Sequence, residues 1–341
     1  MKAFVISKYS KKEVLRMIDM PLPSLKDNDV MVQIHASGLN LLDSKIKSGE
    51  FKLILPYKLP LILGHDAAGI ITGVGKNVKQ FKVGNEVYSR PSDFRIGTFA
   101  EFIAIDEKDV ALKPQNLSME EAASLPLVAL TVWQALVEKA DLKKGQKVFI
   151  QAGSGGVGTI AIQIAKYLGA TVATTASEKS FAMLKDLGAD VVIDYNKEDF
   201  ETILKDYDVV LNSQDKKTLD KSLSILKPGG KAISISGPPT PDFAKSIRAS
   251  WFVKTILSLI SLGIRRKARK LGVDYSFLFM RADGKQLQEI SKLIENGAIR
   301  PVVDKVFPFE QTNKALEYVE SGRTKGKVVV NILKSTPAYG Q

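Results

Sequence analysis

The stretch that decides the fold is Val148-Phe149-Ile150, followed closely by Gly153-Ser154-Gly155-Gly156-Val157-Gly158. An apolar strand leads into a G-x-G-x-x-G turn and then into a helix, the context that a dinucleotide-binding turn requires. In that pattern Gly153 permits the tight turn, Gly155 lets the backbone approach a pyrophosphate, and Gly158 lets the helix pack closely on the strand. Free N–H groups at the start of the helix then bind the phosphates. We therefore predict a dinucleotide site at residues 153–158; the alternative is a glycine-rich loop that binds no ligand.

The chain around this turn alternates strands with helices. From Lys147 to about residue 240, short apolar runs are separated by helical stretches. The predicted strands are Val148–Ile150, Thr171–Ala173, Val191–Ile193, Val209–Leu211 and Ala232–Ile235. This alternation predicts a parallel, doubly wound sheet of the Rossmann type.

The residues before about position 120 have a different pattern. Short apolar runs are separated by Pro and Gly, and they lie at Ala3–Ile6, Val30–Ile34, Ala68–Ile71 and Glu86–Tyr88. Such spacing predicts a small, irregular β-barrel. The C-terminal part returns to helices, at Leu287–Asn296 and near Thr312–Ser321, and closes with a strand at Lys327–Ile332. A chain of 341 residues suggests two domains. Because one combines strands with helices and the other is a small β-barrel, the predicted class is α/β.

The composition excludes several kinds of site. The chain has 49 Lys and Arg against 37 Asp and Glu, a net charge of +12, no cysteine, and two histidines, His35 and His65. Without cysteine there is no disulfide, no cysteine nucleophile, no iron–sulfur cluster and no structural zinc of the cysteine type. The positive charge attracts nucleic acid, acidic lipid or a phosphorylated cofactor; the alternative is a lysine-rich surface in contact with solvent.

The sequence shows no targeting or membrane signal. Residues Met1–Ile6 become charged too early for a signal peptide. No apolar run approaches the ~20 residues that a spanning helix needs. We expect a cytoplasmic protein.

The end of the second predicted strand bears on the choice of dinucleotide. NAD-binding domains place an acidic residue there, which binds the ribose 2′-hydroxyl. In this chain Thr175 takes that position, and Ser177 and Lys179 follow it. Because hydroxyls and an ammonium accept a 2′-phosphate that a carboxylate would repel, we predict NADP(H). Glu178 keeps NAD open as an alternative, since a shift of the loop by one turn would make it a ribose ligand. Independently of that shift, the alternative for Lys179 is a surface lysine in contact with solvent.

Two short motifs lie in the predicted barrel. Gly64-His65-Asp66-Ala67-Ala68-Gly69 is similar to a G-H-E-x-x-G motif, and Ala36-Ser37-Gly38-Leu39-Asn40-Leu41-Leu42-Asp43 contains a G-x-N-x-x-D pattern. Both resemble motifs of the medium-chain dehydrogenase/reductase family, the second those of its quinone oxidoreductase branch. Further similar segments are Leu187–Asp190, Ile193–Tyr195, Ile299–Val303, Phe307–Phe309 and Gly326–Val329. The resemblance covers nearly the whole chain and is strongest to the zinc-free enone and quinone oxidoreductases.

The resemblance implies a domain layout. A GroES-like catalytic domain would occupy residues 1–122, a Rossmann NADP(H)-binding domain residues 123–265, and a return to the catalytic domain residues 266–341. A homodimer is common among such proteins. The zinc members of the family use cysteine ligands, and a catalytic zinc needs about three protein ligands. Because this chain offers His65 alone, we expect no metal, with His65 and His35 as structural residues.

The candidate catalytic residues follow from the chemistry of hydride transfer. Reduction of an activated C=C bond puts hydride on the β-carbon and leaves an enolate, whose oxygen needs a hydrogen-bond donor. By resemblance, Asn40 lies near the nicotinamide and the substrate carbonyl. Lys45 and Tyr57 are further candidate donors, and the alternative for both is an ordinary surface or packing role.

The remaining cofactor candidates lie at strand ends or follow from the resemblance. The cofactor of a doubly wound sheet crosses the carboxyl ends of the strands. Residues predicted at or just past those ends are Tyr195, Asn212, Ser213 and Gly237. The resemblance adds Thr131 beside the nicotinamide ribose, and Arg323 and Lys325 near the cofactor phosphate.

The segment 251–270 combines an apolar run with a basic run. Trp251–Leu262 is strongly apolar, and Arg265–Lys270 follows it directly. Three interpretations remain open: a helix packed on the active-site cleft or on a dimer contact, a mobile lid over the substrate, or weak contact with an anionic membrane surface. The apolar run is too short to span a bilayer.

We expect a zinc-independent, NADPH-dependent oxidoreductase that acts on quinones, enones or enals. One alternative is a reductase of enoyl thioesters, in which Arg265–Lys270 would hold a phosphopantetheine carrier. Another is a non-enzymatic, crystallin-like protein that binds NADPH or RNA. Nucleic acid is not expected as a partner, because no motif interleaves aromatic with basic residues.

Overall fold

The computed structural model describes residues 1–247 and 249–333. The chain divides into two compact units, the first formed by Met1–Leu130 with Arg281–Gln341 and the second by Thr131–Met280. No helix within the described ranges is both long enough and apolar enough to cross a bilayer.

The N-terminal part of the first unit is mainly β-structure. Its strands are β1 (Lys2–Ile6), β2 (Arg16–Asp19), β3 (Asp29–Leu39), β4 (Leu61–Ile62), β5 (Asp66–Val74), β6 (Glu86–Ser89), β7 (Phe102–Asp106) and β8 (Val110–Leu112). Its helices are α1 (Leu41–Ser48) and α2 (Met119–Ala123), and α3 (Pro126–Val132) begins in this unit and ends in the second. Helix α2 begins at a capping box, as its spacing predicts: Ser118 Oγ accepts from the Glu121 N–H at 3.2 Å, and the Glu121 carboxylate accepts from the Ser118 N–H at 2.9 Å.

The second unit is a doubly wound α/β domain. Its strands are β9 (Lys147–Ile150), β10 (Thr171–Ala176), β11 (Val191–Asp194), β12 (Tyr207–Asn212), β13 (Leu226–Ser234) and β14 (Asp274–Phe277). Its helices are α4 (Gly156–Tyr167), α5 (Phe181–Asp186), α6 (Phe200–Ile203), α7 (Lys216–Leu223), α8 (Pro241–Ser246), α9 (Trp251–Ile260) and α10 (Leu262–Lys270), with a π-helical segment at Trp133–Lys139. The six strands are parallel in the order β11-β10-β9-β12-β13-β14. This is the 3-2-1-4-5-6 order of dinucleotide-binding sheets.

The chain then returns to the first unit with α11 (Gly284–Glu295), β15 (Val303–Pro308), α12 (Thr312–Glu320) and β16 (Lys327–Asn331). Strand β16 pairs antiparallel with the end of β3, which also pairs with β5 and β7. The resulting order is β15-β16-β3-β5-β6-β8, with β7 on β3, and β2-β1-β4 form a separate sheet. Apolar side chains of β3, β5 and β7, with Val87 of β6 and Val110 of β8, form one hydrophobic cluster of this unit.

The unit boundaries differ from the predicted domain limits of 122/123 and 265/266. The units divide at Leu130/Thr131 and at Met280/Arg281. Strand β14 explains the second difference, because residues 274–277 pair in parallel with β13 and so extend the sheet of the second unit. Its four residues lack the long apolar run that marked the other strands of that sheet.

Candidate active site

Asn40 lies where β3 ends and α1 begins. Its backbone is extended, and the Asp43 carboxylate accepts a hydrogen bond from its N–H at 2.8 Å. The side chain is buried, and its Nδ2 donates to Asp66 Oδ2 at 2.9 Å. Its Oδ1 accepts from Lys327 Nζ at 2.5 Å. Both ends of the Asn40 amide are therefore held by charged groups of opposite sign.

Lys327, the first residue of β16, is a member of this cluster that the sequence did not reveal. Its ammonium is buried and donates to Leu39 O at 2.9 Å, Asn40 Oδ1 at 2.5 Å and Asp66 Oδ2 at 3.1 Å. These contacts use all three of its donors. They also fix the amide orientation: the oxygen faces the ammonium, and the nitrogen faces Asp66. In the described part of the chain only Asp66 accepts from Nδ2, which leaves its second N–H free to donate.

Asp66, the first residue of β5, is wholly buried and connects the cluster to the chain after α2. Its Oδ1 accepts from the Leu127 N–H at 2.7 Å. The register of β3 with β5 places it opposite Gly38. A Cβ at Gly38 would lie 2.4 Å from Ala123 O, so glycine is required for this close approach. In this chain the G-H-E-x-x-G motif carries aspartate at its third position, and that aspartate contacts Asn40.

His65 forms a buried pair with Asp43. Its Nδ1 lies 2.6 Å from Asp43 Oδ1, and both side chains are fully buried. Among residues 1–247 and 249–333, no hydrogen-bond partner reaches its Nε2. Asp43 thus contacts both the His65 ring and the Asn40 backbone. His35, on β3, is half-buried, and burial lowers its pKa.

The structure does not join the other two candidate donors to Asn40. Lys45 is exposed on α1. The Tyr57 hydroxyl donates to Asp93 O at 2.5 Å, and burial raises the pKa of Tyr57 well above its usual value. Neither forms a hydrogen bond with Asn40 in the described residues. A lysine at the start of the apolar run Val328–Val330 was the available signal for Lys327, since lysine is almost never fully buried unless it is paired.

The glycine-rich turn of the second unit has the predicted geometry. It connects β9 to α4, whose N-cap is Gly155. A Cβ at Gly153 would lie 2.2 Å from Thr174 Oγ1, and one at Gly158 would lie 2.4 Å from Ala152 O. At Gly155 the nearest atom would be 3.4 Å away. Packing therefore requires glycine at Gly153 and Gly158, whereas the turn is open at Gly155, where a pyrophosphate would approach.

The end of β10 differs from its prediction by one residue. The strand extends to Ala176, so Thr175 lies inside it and Ser177 is the first residue beyond it. Thr175 is buried and supports the turn: its Oγ1 accepts from the Ala152 N–H at 3.3 Å, and its carbonyl from the Gly153 N–H at 3.0 Å. Lys179 is exposed, and the exposed Glu178 forms an ion pair with Lys197 at 2.7 Å. Glu178 is thus engaged with a cation in this structure.

Asn212, at the end of β12, supports the neighbouring strands. It is fully buried; its Nδ2 donates to Gln151 Oε1 at 2.6 Å, and its Oδ1 accepts from Ser234 Oγ at 2.5 Å. Gln151 and Ser234 thus hold this amide within the domain, and contact of Asn212 with the cofactor remains a prediction. Sequence reasoning overlooked Gln151, whose Nε2 also donates to Ser222 Oγ at 2.5 Å.

The remaining cofactor candidates differ in exposure. Ser213 and Gly237 are half-buried at strand ends, and the Gly237 N–H donates to Ser234 Oγ at 2.7 Å. Thr131 is buried on α3, and Tyr195 is exposed just past β11. Arg323 and Lys325 are exposed in the turn before β16. Contact of these residues with the cofactor remains a prediction.

Known proteins resemble the chain along its whole length. Family models match at residues 26–115, described as Alcohol dehydrogenase GroES-like domain, and at residues 187–330, described as Zinc-binding dehydrogenase. The chain is 36% identical to the mitochondrial NAD(P)H oxidoreductase RTN4IP1 of Danio rerio, over 98% of this chain and 92% of that protein. The chain belongs to the medium-chain dehydrogenase/reductase family. This confirms the family and the GroES-like plus Rossmann fold class.

Two further members of the medium-chain dehydrogenase/reductase family bear on the activity. The chain is 34% identical to the NADPH-dependent alkenal/one oxidoreductase, chloroplastic, of Arabidopsis thaliana, over 97% of this chain and 79% of that protein. The structure of the quinone oxidoreductase from Coxiella burnetii superposes with a TM-score of 0.85 at 29% identity, over 98% of this chain and 99% of that one.

The residues of this chain do not fit a zinc ion, although one matching family model is named for zinc. The sequence has no cysteine, and the residues that the structure describes contain no group of three or more Asp, Glu or His side chains able to hold a metal. The Lys327 ammonium already places a positive charge against Asp66. His65 directs Nδ1 to Asp43, which leaves one ring nitrogen where a catalytic zinc needs about three protein ligands.

Proposed function

We propose that this protein is a zinc-independent, NADPH-dependent oxidoreductase that reduces quinones or the C=C bond of α,β-unsaturated carbonyl compounds. The observation that supports it best is the Asn40 amide, whose orientation is set by Lys327 and Asp66 and which keeps one N–H available. The Arabidopsis relative is named as an NADPH-dependent alkenal/one oxidoreductase, and the open turn at Gly155 suits a dinucleotide phosphate.

NADPH, when bound, supplies the hydride. The protein then has two tasks, binding and electrostatic stabilisation. The N–H groups at the start of α4 would bind the pyrophosphate, because helix N-termini attract anions. The free N–H of Asn40 would donate to the substrate oxygen that gains negative charge as hydride arrives. One such preorganised donor contributes about 10²–10³-fold in kcat.

The direct experiment compares NADPH with NADH oxidation against a panel of quinones, enals and enoyl thioesters. We expect turnover with NADPH and with quinones and enals. The prediction of NADPH rests on Thr175, in place of an acidic residue, near the end of β10, where a carboxylate would repel the 2′-phosphate. Turnover confined to enoyl thioesters would favour the alternative reductase. Failure of NADPH both to bind and to raise the temperature of unfolding would contradict the proposal.

The role of Asn40 has its own test. Asn40→Ala should lower kcat by about 10²–10³-fold, as expected for loss of an oxyanion donor, with little change in the KM for NADPH. Asn28→Ala, at an exposed position of the same unit, is the matched control. Unchanged kcat in a folded Asn40→Ala protein would remove Asn40 from the catalytic residues.

We also propose that the protein forms a homodimer. Strand β14 ends the six-stranded sheet, and no described strand covers its outer edge. An uncovered edge strand can pair with a second copy. Light scattering coupled to gel filtration measures the mass, and a single monomeric species at micromolar concentration would contradict the proposal.

A further inference from the structure

Helix α9 in the second unit presents large apolar side chains to solvent. The exposed fractions are 78% for Trp251, 59% for Phe252, 65% for Leu259 and 56% for Ile260; these four residues are called the α9 apolar face. Only Leu257 of this helix is buried. A surface helix usually turns its apolar stripe toward the core and its polar side toward water. Helix α9 therefore exposes apolar surface that its own unit leaves uncovered.

Helix α10 follows at once and presents positive charge. Arg266, Lys267, Arg269 and Lys270 are exposed; they are called the α10 basic cluster. The opposite side of the helix, Ile264 and Ala268, packs into the hydrophobic core of the second unit, so these four side chains are directed outward. No Asp or Glu occurs between Asp242 and Asp274.

Arg265 holds the two helices together. Its Nη2 donates to Ser258 O at 3.0 Å, and its Nε donates to Ser261 Oγ at 3.2 Å. The guanidinium thereby binds carbonyl and hydroxyl oxygens at the end of α9, where a cation is stabilised by the helix dipole. These contacts fix the start of α10 against the end of α9, so the basic cluster follows the apolar face within a few residues of chain.

Further positive charge lies beside the cluster, on α7. Lys267 Nζ donates to Asp220 O at 2.8 Å, which ties α10 to α7. Lys216 and Lys217, at the start of α7, are exposed and line the same shallow surface depression as Lys267. Glu201 also lines it and pairs with Lys221 at 2.8 Å. The Asp220 carboxylate lies 3.9 Å from Lys267 Nζ and offsets one of these charges.

We propose that the α9 apolar face and the α10 basic cluster together attach the protein to the surface of an anionic lipid bilayer. Apolar and aromatic side chains enter the boundary between headgroups and acyl chains, and neighbouring Lys and Arg bind the lipid phosphates. The exposed aliphatic side chains of Leu259 and Ile260 suit acyl chains, whereas they offer nucleic-acid bases no aromatic ring to stack on. With ten residues, α9 is about 15 Å long, about half of a hydrocarbon core of ~30 Å, so the attachment is interfacial.

Vesicle co-sedimentation of the full chain tests this proposal independently of turnover. We expect binding at low salt to phosphatidylcholine vesicles that contain about 30 mol% phosphatidylglycerol, and much weaker binding to pure phosphatidylcholine. Binding should fall steeply toward 1 M salt, because the screening length shortens to about 3 Å. Equal binding to both vesicle types, or none to the anionic ones, would overturn the proposal.

Paired variants separate the two parts of the surface. Phe252→Gln/Leu259→Gln removes apolar contact, and Arg266→Glu/Arg269→Glu/Lys270→Glu reverses three charges. Each basic residue near an anionic surface contributes roughly fivefold to binding, so the triple variant should lose more than about 100-fold. The matched controls are Val14→Gln/Leu22→Gln and Lys8→Glu/Lys11→Glu/Lys12→Glu, at exposed positions of the first unit; both controls should bind as the unaltered protein does.

Fluorescence gives a second, residue-specific readout. The chain has two tryptophans, Trp133 and Trp251, so Trp133→Phe leaves Trp251 as the sole reporter. Its emission should shift to the blue on addition of anionic vesicles and should be quenched by brominated lipid. No shift despite co-sedimentation would show that α9 stays in water, and would overturn the assignment of its apolar face.

Two other partners for this surface, a second copy of the chain and a nucleic acid, would give different results. If the unaltered protein is a dimer and Phe252→Gln/Leu259→Gln is a monomer, a second copy covers the α9 apolar face and the proposal is wrong. If polyuridylate competes fully with vesicles and its binding is unaffected by that double variant, the basic cluster is a nucleic-acid site. An unchanged mass, with polyuridylate unable to displace the protein from vesicles, supports the membrane surface.

Discussion

Replacement of Lys327 by methionine is the sharpest test of the Asn40 cluster. The change keeps an unbranched side chain but removes the ammonium that contacts Leu39 O, Asn40 Oδ1 and Asp66 Oδ2. Asp66 is fully buried, and in this variant its carboxylate would keep the Asn40 amide and the Leu127 N–H as donors. Loss of one partner from a buried ion pair costs about 3–5 kcal/mol, because the other charge is left uncompensated.

That cost predicts a measurable change in thermal stability. For a unit of about 150–250 residues, each kcal/mol lowers the unfolding temperature by about 2–4 °C. We therefore expect Lys327→Met to lower the midpoint by roughly 6–20 °C, measured by circular dichroism without cofactor. Lys314→Met, at an exposed position on α12, is the matched control and should change the midpoint by less than about 2 °C.

A double variant identifies the cause. Asp66→Asn in the Lys327→Met background removes the stranded charge and keeps a similar volume, and neutral replacements of buried pairs are often well tolerated. We expect it to restore at least half of the lost stability. A Lys327→Met protein as stable as Lys314→Met, or no recovery on adding Asp66→Asn, would show that Asp66 is not left as an uncompensated buried charge. Because Lys327 orients the Asn40 amide, kcat should also fall in Lys327→Met while the KM for NADPH changes little.

Three further predictions concern the turn, a half-buried ion pair and a candidate donor. Gly153→Val should weaken NADPH binding, measured by calorimetry, at least tenfold, because its Cβ would meet Thr174 Oγ1 at 2.2 Å; unchanged affinity would contradict the packing argument. Arg95 holds the pKa of Asp29 below its usual value through contacts of 2.8 and 2.7 Å, so this stabilisation is present above the unfolded pKa of about 3.9 and is lost as pH falls through the folded pKa. Urea midpoints should therefore fall less steeply below pH 4 in Arg95→Met than in the unaltered protein, and equal slopes would disprove the link. Tyr57→Phe should keep kcat within about threefold while losing about 1 kcal/mol of stability, because the hydroxyl already donates to Asp93 O; a 100-fold lower kcat would make Tyr57 the donor.

The alternation of strands and helices and the glycine pattern were readable because both are local. Strands β9 to β13 lie where the apolar runs predicted them, since burial on both faces of a parallel sheet requires such runs. The turn at Gly153–Gly158 was predictable because its conformation depends on residues that are adjacent in sequence. Strand β14 was missed, because four half-polar residues at a sheet edge carry no comparable periodicity.

The fold class and the family could be inferred from local sequence patterns, and the resemblance to that family made Asn40 a candidate. Tertiary structure decided which groups surround that amide. Lys327 is 287 positions away from Asn40, and the two meet because β16 pairs with the end of β3, with Val328 opposite Leu39. Strand register is set by long-range pairing and core packing, which no local pattern contains. For the same reason, Lys45 and Tyr57 were plausible by residue type, yet burial and hydrogen bonding selected Lys327 and Asp66 as the partners of Asn40.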